Sequence, residues 1–437
     1  MTTSRSRTGF DITILAAFVT LVTVGILFIY SSGVTSSGEL YNREYLRQLI
    51  WAGSGLVLLV AVAFLDYQWL RRWSLHIFVG SMVLLVITLL FGRVVNGAKS
   101  WLGVGSLGIQ PSEFAKVCLI LLLAWYLERQ QNRIQELTVF LGGLVLSLIP
   151  AGLTMLQPDL GTALVFVPLY LAMAYVAGAR ASHVLYVVVI AGLTFLFTVL
   201  PIWDQMAGEG NAVIALVLRN RTLSLQILGA IAAVALLSGV SYAVLGRSYL
   251  YWIFWVSSAL FLAVGASIGA RMVLRDYQIM RLVVFVDPYV DPRGAGWNII
   301  QSTTAIGSGG VVGKGFLQGT HSHYQYLPQQ STDFIFSILA EEWGFLGAIF
   351  IFLGFFAITL RGVVAARNAK DLFGAYIATG VVTLFLFHFM INVGMTIGVM
   401  PITGIPLLLL SHGGSSLWTA SIGLGLLMSI HGHRFNY

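Results

Sequence analysis

The sequence predicts an all-α fold, a polytopic membrane helix bundle of about twelve transmembrane helices with a large loop, residues 276–333, outside the bilayer. Composition and spacing predict it. Of 437 residues, 58% are hydrophobic and 9% charged, against about 25% charged in a soluble domain. The mean hydropathy of +0.87 has no soluble reading. The apolar residues fall in runs near the roughly 20 residues that a hydrocarbon core of about 30 Å requires. In order these are 12–32, 48–65, 75–92, 111–127, 136–156, 161–178, 183–203, 223–245, 250–270, 334–358, 374–393 and 406–430. The first is long enough to span and lacks a small-residue cleavage site, so it reads as a helix rather than a cleaved signal.

The net charge of +7 comes from 24 Lys and Arg against 17 Asp and Glu. The basic residues are scattered, which argues against nucleic acid as a partner. One cysteine, Cys118, excludes an intramolecular disulfide and a thiolate metal cluster. Arg5, Arg7, Arg71, Arg72, Arg129, Arg133, Arg180, Arg247, Arg361, Arg367, Lys370 and Arg434 fall on one side of the predicted spans. The excess of Lys and Arg in short loops marks the cytoplasmic side, so both termini are expected there. The opposite side holds Arg43, Arg47, Arg93 and Lys99, then a denser set between 219 and 314. Long loops escape the charge rule; an outward-facing site for an anionic ligand accounts for the same cations.

No stretch of 276–333 can span, and long ordered loops are usually functional. Its glycines at 309, 310, 313, 315 and 319 permit positive φ and close backbone approach. The run is not a P-loop, because Gly313-Lys314 is followed by Gly315. Asp287 and Asp291 each precede a proline, which holds them extended. They read either as turn formers or as a rigid carboxylate presented as a general base. His321 and His323 in THSHY read as polar loop residues or as a weak metal pair.

Charges at bilayer depth are expensive and mark function by default. Glu113 and Lys116, spaced i, i+3, share a helix face and pair, either to neutralise each other or to meet a ligand. Asp159 follows Pro158 between two spans and fits a re-entrant turn or a helix cap. Asp333 precedes a span; Glu341 and Glu342 are adjacent, so only one is expected to face a cavity.

Several motifs occur together: QPSEFAK at 110–116, QPDLGTAL at 157–164, DPRGAG at 291–296, QSTTAIGSGGVVGKG at 301–315, STDFIFSILAEEWGFLG at 331–347 and NVGMTIGVMPITGIPLLLLSHGGSS at 392–416, with a weaker RQLIW at 47–51. In that order the sequence resembles the SEDS family (shape, elongation, division, sporulation), and GSGGVVGKGFLQGT resembles its RodA elongation branch more than its division branch. The resemblance implies a single integral membrane domain over 1–437, with a ten-helix core and a two-helix insertion within 205–270. It further implies a peptidoglycan glycosyltransferase that polymerises lipid II at the outer face of the bacterial cytoplasmic membrane. The expected partners are a class B penicillin-binding protein and other elongation-complex membrane proteins. A lipid II flippase and a non-catalytic scaffold are the rival readings.

By the same resemblance Asp291 matches the essential loop aspartate, Glu113 and Lys116 the membrane pair, and Asp159 the helix-break aspartate. Inverting transfer needs a base on the acceptor hydroxyl and positive charge at the leaving pyrophosphate. Lys116, Arg47, Arg293 and Lys314 are candidates for that charge, as is a divalent cation, Mg or Mn. The sequence departs from the family at Gln329 and Ser331, at Leu408 and His412, at Asn298, and at Ser100, beside which Lys99 stands as a substitute cation.

Overall fold

The computed structural model describes residues 10–95, 97–104, 107–206, 208 and 212–433; Arg5, Arg7 and Arg434 lie outside the described residues. In chain order the helices are α1 Ile12–Ser32, α2 Glu44–Phe64, α3 Tyr67–Phe91, α4 Pro111–Arg129, α5 Leu137–Leu156, α6 Leu160–Val176, α7 Ala181–Met206, α8 Val213–Arg219, α9 Arg221–Leu245, α10 Ser248–Val273, α11 Asp276–Val286, α12 Trp297–Gly309, α13 Thr320–His323, α14 Ile335–Arg367, α15 Leu372–Thr396 and α16 Gly414–His433. Short side chains start several of them. Asp11, Asp66, Asp159, Asn220 and Asp371 each accept a hydrogen bond from a first-turn amide that has no helical partner.

The chain forms two compact units, Met1–Ala179 with Gln301–Tyr437, and Arg180–Ile300. In the first, α4 packs on α3 and α15, α6 on α5 and α15, α14 on α1 and α15, and α16 on α2. Helix α15 is 67% buried over its apolar window, and α4 and α16 are buried almost all round. A helix apolar on every face and buried belongs to a core. In the second unit α10 packs on α7 and α9, and Val199, Ile279 and Val283 form a small core between α7 and α11.

Nine helices among the described residues are long and apolar enough to cross a membrane. The other three expected spans are helices too, and each departs for a physical reason. Helix α4 carries Glu113, Lys116, Glu128 and Arg129; α6 has 17 residues; α16 starts at Gly414 rather than at 406. Residues 397–413 are non-helical, broken by Pro401, Pro406 and positive φ at Gly398, Gly404 and Leu409. Its four consecutive leucines signalled burial, not helix. The connection at 93–109, between two of the expected spans, is a three-stranded antiparallel sheet: β1 Arg93–Val95, β2 Ala98–Val104, β3 Leu107–Ile109. Arg93 pairs with Trp101 and Leu102 with Ile109; the valines and Trp101 favour strand.

Candidate active site

Four of the sequence motifs meet at buried polar groups in the first unit. Gln110, the residue before α4, donates Nε2–H to Asp159 Oδ2 at 2.7 Å and its amide N–H to Ser415 Oγ at 2.9 Å. Asp159 also accepts from the Thr162 amide at 3.1 Å and hydroxyl at 2.9 Å. The carboxylate therefore caps α6, one of the two readings of Asp159, and binds a second motif at once.

One turn into α4, Lys116 Nζ donates to Glu113 Oε1 at 2.7 Å. The pairing expected from the i, i+3 spacing is present. Both residues are enclosed: Lys116 is 0% exposed and Glu113 2%. Lys116 Nζ also lies 2.9 Å from His388 Nε2, while Glu113 Oε2 and the neighbouring Ser112 Oγ are buried without a partner. A buried ion pair satisfied on one side only is costly, and the unpartnered atoms are places where a ligand or water would bond.

The non-helical segment 397–413 explains several other buried polar residues. Backbone leaving helical geometry at membrane depth must find partners inside the protein. His388 Nδ1 lies 2.9 Å from the Pro406 carbonyl, Asn392 Nδ2 donates to the Ile405 carbonyl at 2.8 Å, and Gln48 Nε2 donates to the Ser411 carbonyl at 3.3 Å. Gln48 and Trp51 belong to the RQLIW run; the Trp51 ring is 5.1 Å from that of His412. Sequence reasoning passed over Gln110, His388 and Asn392. The signal was present in part, since His388 and Asn392 sit at i, i+4 in an otherwise apolar helix.

The glycine run has a local cause. Helix α14 breaks at Gly344, φ 62° and ψ −159°, a conformation essentially confined to glycine. The break frees backbone groups that the glycine run takes up. Lys314 N–H donates to the Glu341 carbonyl at 3.0 Å and Gly315 N–H to the Glu342 carbonyl at 2.9 Å, while Phe345 N–H donates to the Gly310 carbonyl at 2.9 Å. The two backbones approach so closely that a Cβ on Gly313 would strike the Glu342 carbonyl. Both glutamates hold this segment. Glu341 accepts from Lys314 Nζ at 2.6 Å, Thr320 N–H at 3.0 Å and Thr320 Oγ1 at 2.9 Å; Glu342 accepts from Ser31 Oγ at 2.5 Å and Leu317 N–H at 3.1 Å.

Lys314, a candidate cation, is thus ion-paired. Arg47 stands 3.9 Å from Glu44, which also accepts from Ser331 Oγ at 2.7 Å. Ser331 and Gln329, where the sequence departs from the family pattern, bond locally: Gln329 Oε1 accepts from Thr332 Oγ1 at 3.3 Å, and the neighbouring Gln330 Nε2 donates to the Ser32 carbonyl at 2.9 Å. Lys99 Nζ donates to the Leu90 carbonyl at 2.8 Å. His321 Nδ1 is 3.0 Å from Glu341 Oε1, and both ring nitrogens of His323 lie within 2.8 Å of carbonyl oxygens. Neither histidine joins a metal-holding group. Among the described residues no three His, Cys, Asp or Glu side chains gather to hold an ion.

Asp291 and Arg293 belong to the second unit. Asp287 caps the 3-10 turn Pro288–Val290 through the Tyr289 amide at 2.9 Å. Asp291 closes the next turn, its Oδ1 accepting from Gly294 N–H at 3.0 Å and its Oδ2 from Ala295 N–H at 2.8 Å. A Cβ on Gly294 would strike the Asp291 carboxylate, and one on Gly296 the Pro288 carbonyl. Glycine is therefore required for the loop to wrap this aspartate. Each carboxylate oxygen still has a free lone pair. Asp291 is half-buried, Arg293 exposed, and Arg293 makes no ion pair among the described residues.

The sequence model of the family described as "Cell cycle protein", covering FtsW, RodA and SpoVE, matches residues 12–207 and 211–436. The chain belongs to this family. It is 49% identical over 430 residues to the peptidoglycan glycosyltransferase RodA of Treponema pallidum, spanning 98% of this chain and 99% of that protein. It is 33% identical over 433 residues to the stage V sporulation protein E of Bacillus subtilis and 30% identical over 426 to the peptidoglycan glycosyltransferase MrdB of Escherichia coli, spanning 97% of this chain in each case, and 97% and 94% of those proteins. Among solved structures, a chain from a peptidoglycan synthase complex that coordinates polymerization and crosslinking superposes with a TM-score of 0.66 at 26% identity, covering 98% of this chain and 99% of that one. Thermus thermophilus RodA superposes at 0.60 with 23% identity, over 98% of both chains, and supports the fold alone. The fold is the family's multi-pass membrane helix bundle.

Proposed function

We propose that this chain is an inverting glycosyltransferase that polymerises lipid II into glycan strands at the outer face of the bacterial cytoplasmic membrane, serving cell elongation and shape. The observation that carries the reading is the 49% identity, over nearly the whole of both chains, to a protein named for that activity. Asp291 is the general base. It stands before Pro292 with φ −138° and ψ 70°, short of the extended conformation expected there, closes a glycine turn with both oxygens, and keeps a lone pair on each for the acceptor hydroxyl. The departing pyrophosphate needs fixed positive charge. Lys116 serves it, oriented by Glu113; Arg293 and Arg47 are the auxiliary cations, and Lys314 instead holds the loop through Glu341. Asp159 and Gln110 brace the start of α4. The apolar groove of about 640 Å³ between α3, α4 and the sheet, walled by Leu84, Leu102, Ile109 and Phe114, takes the prenyl chain. A class B penicillin-binding protein supplies crosslinking, in keeping with the synthase complex from which the similar chain comes. Both termini face the cytoplasm, and residues 205–270 carry a helix pair dispensable for the chemistry.

The test is gel analysis of polymer made from labelled lipid II by purified protein with its transpeptidase partner. A positioned base contributes about 10²–10⁴-fold in rate. Asp291→Asn removes the base, while Asn Oδ1 and the backbone bonds from Gly294 and Gly296 to the Asp291 carbonyl keep the turn. It is expected to fold, bind its partner and make essentially no strands. Asp287→Asn, with similar local geometry, is expected to retain activity. Near-normal strands from Asp291→Asn, or a dead Asp287→Asn beside a live Asp291→Asn, would overturn the assignment.

A further inference from the structure

His388 has no exposed surface, yet both its ring nitrogens are engaged. Nδ1 is 2.9 Å from the Pro406 carbonyl oxygen and Nε2 is 2.9 Å from Lys116 Nζ. A carbonyl oxygen only accepts and an ammonium only donates. The ring hydrogen therefore sits on Nδ1, and Nε2 offers its lone pair to Lys116. The other tautomer would leave two acceptors facing at Pro406, and a doubly protonated ring would leave two donors facing at Lys116. The partners fix the assignment without any hydrogen being seen.

Lys116 has three N–H groups. Glu113 Oε1 takes one at 2.7 Å and His388 Nε2 a second. Two fixed acceptors on a tetrahedral ammonium leave the third N–H a single direction. Glu113 alone would leave the ammonium free to turn about that bond.

We infer that His388 is a positioning residue for glycosyl transfer, holding the Lys116 ammonium through Nε2 so that its remaining N–H is aimed at the departing pyrophosphate. This rests on the reading of Lys116 as the cation serving that group. A plainer role is available to the same ring, namely tethering the non-helical segment 397–413 through Pro406. The two roles use different nitrogens, so amide substitutions separate them. His388→Asn puts an amide N–H where Nδ1–H was and keeps the tether without reaching Lys116. His388→Gln puts its amide oxygen where Nε2 was and keeps an acceptor for Lys116.

Initial rates of strand synthesis from lipid II, measured on the full chain with its transpeptidase partner, decide between them. A misplacement of about 1 Å near a reacting centre costs on the order of 10²-fold. His388→Asn is therefore expected to lose roughly that much in kcat with KM changed by no more than about twofold, while His388→Gln stays within about tenfold of the parent. The reverse order, with Asn active and Gln impaired, assigns the ring to the tether and overturns the proposal, as does parental kcat in both. Lys116→Met checks the underlying reading separately. If it turns over at the parental rate, Lys116 does not serve the pyrophosphate and the proposal falls with that reading. If it is inactive while both His388 variants are active, only the His388 role falls. Should His388→Asn not purify as folded protein, His388→Gln decides alone: near-parental kcat supports the aim, and a hundredfold loss in folded protein overturns it.

Discussion

Lys116, Glu113 and His388 form a chain in which each member depends on the next, and the cost of breaking it follows from burial. Removing one partner of a buried pair leaves an uncompensated charge, at about 3–5 kcal/mol. Lys116→Met is expected to lower the thermal unfolding midpoint of the purified protein, as well as its activity. A charge swap, Glu113→Lys with Lys116→Glu, restores the formal pair. It also turns a carboxylate towards the lone pair of His388 Nε2, which has been set by Pro406. The swap is therefore expected to recover neither the midpoint nor strand synthesis; full recovery of both would mean that the pair only neutralises itself. The i, i+3 pairing was legible because it is local to one helix. The His388 contact was not, because it joins residues 272 positions apart. Single-sequence reasoning sees an isolated histidine in an apolar run and has no means of finding the carbonyl and the ammonium on either side of it.

Between elements, the glycine run and the break in α14 form one unit of structure. Its conformational need was readable from the glycines at 309–315, and its purpose was not. The close approach they permit is to the carbonyls freed at Glu341 and Glu342. Gly344→Ala is expected to be strongly destabilising, because φ is 62° and an added Cβ would meet Gly313 N and the Val311 carbonyl. Strain at such backbone positions costs on the order of 1–3 kcal/mol before any clash. The matched control is Gly152→Ala in α5, where an added Cβ meets nothing within 4 Å and helix propensity favours alanine by about 0.5–1 kcal/mol. Thermal unfolding of both variants checks the pair, with opposite signs expected. The last span was misplaced for a related reason. Hydrophobicity reports burial, and segment 397–413 is buried without being helical because Gln48, His388 and Asn392 satisfy its carbonyls from other elements.

At the scale of the whole chain, hydropathy gave the membrane bundle and charge gave an orientation that can be tested directly. Cys118 is the only cysteine, so its replacement by serine leaves a clean background. On that background Tyr289→Cys, at a position 75% exposed, should react with a membrane-impermeant maleimide in intact cells. Gln131→Cys, beside Arg129 and Arg133, should react only after permeabilisation; the opposite pattern would invert the topology. The sequence boundaries of the extra helices also bear on architecture. The proposed insertion at 205–270 falls inside the unit Arg180–Ile300, whose core residues Val199, Ile279 and Val283 lie outside it. Helix α9 packs on α8 and α10, and its apolar window is 11% buried, so most of its surface is left for lipid. Helix α10 does touch α7, through Tyr186 Oη and Ser258 Oγ at 2.9 Å among other contacts. A deletion of this stretch removes α8 as well, which also packs on α7, and so uncovers that face of α7. Lipid tails are as apolar as the side chains they replace, so no large hydrophobic penalty follows within a bilayer. Joining residue 205 to 270 by a short connection is therefore expected to give a folded protein that still polymerises lipid II in membranes, at reduced rate because the joint lies in the same unit as Asp291. Complete inactivity in a deletion variant that folds and binds its partner would show that the pair belongs to the catalytic machinery rather than to its periphery.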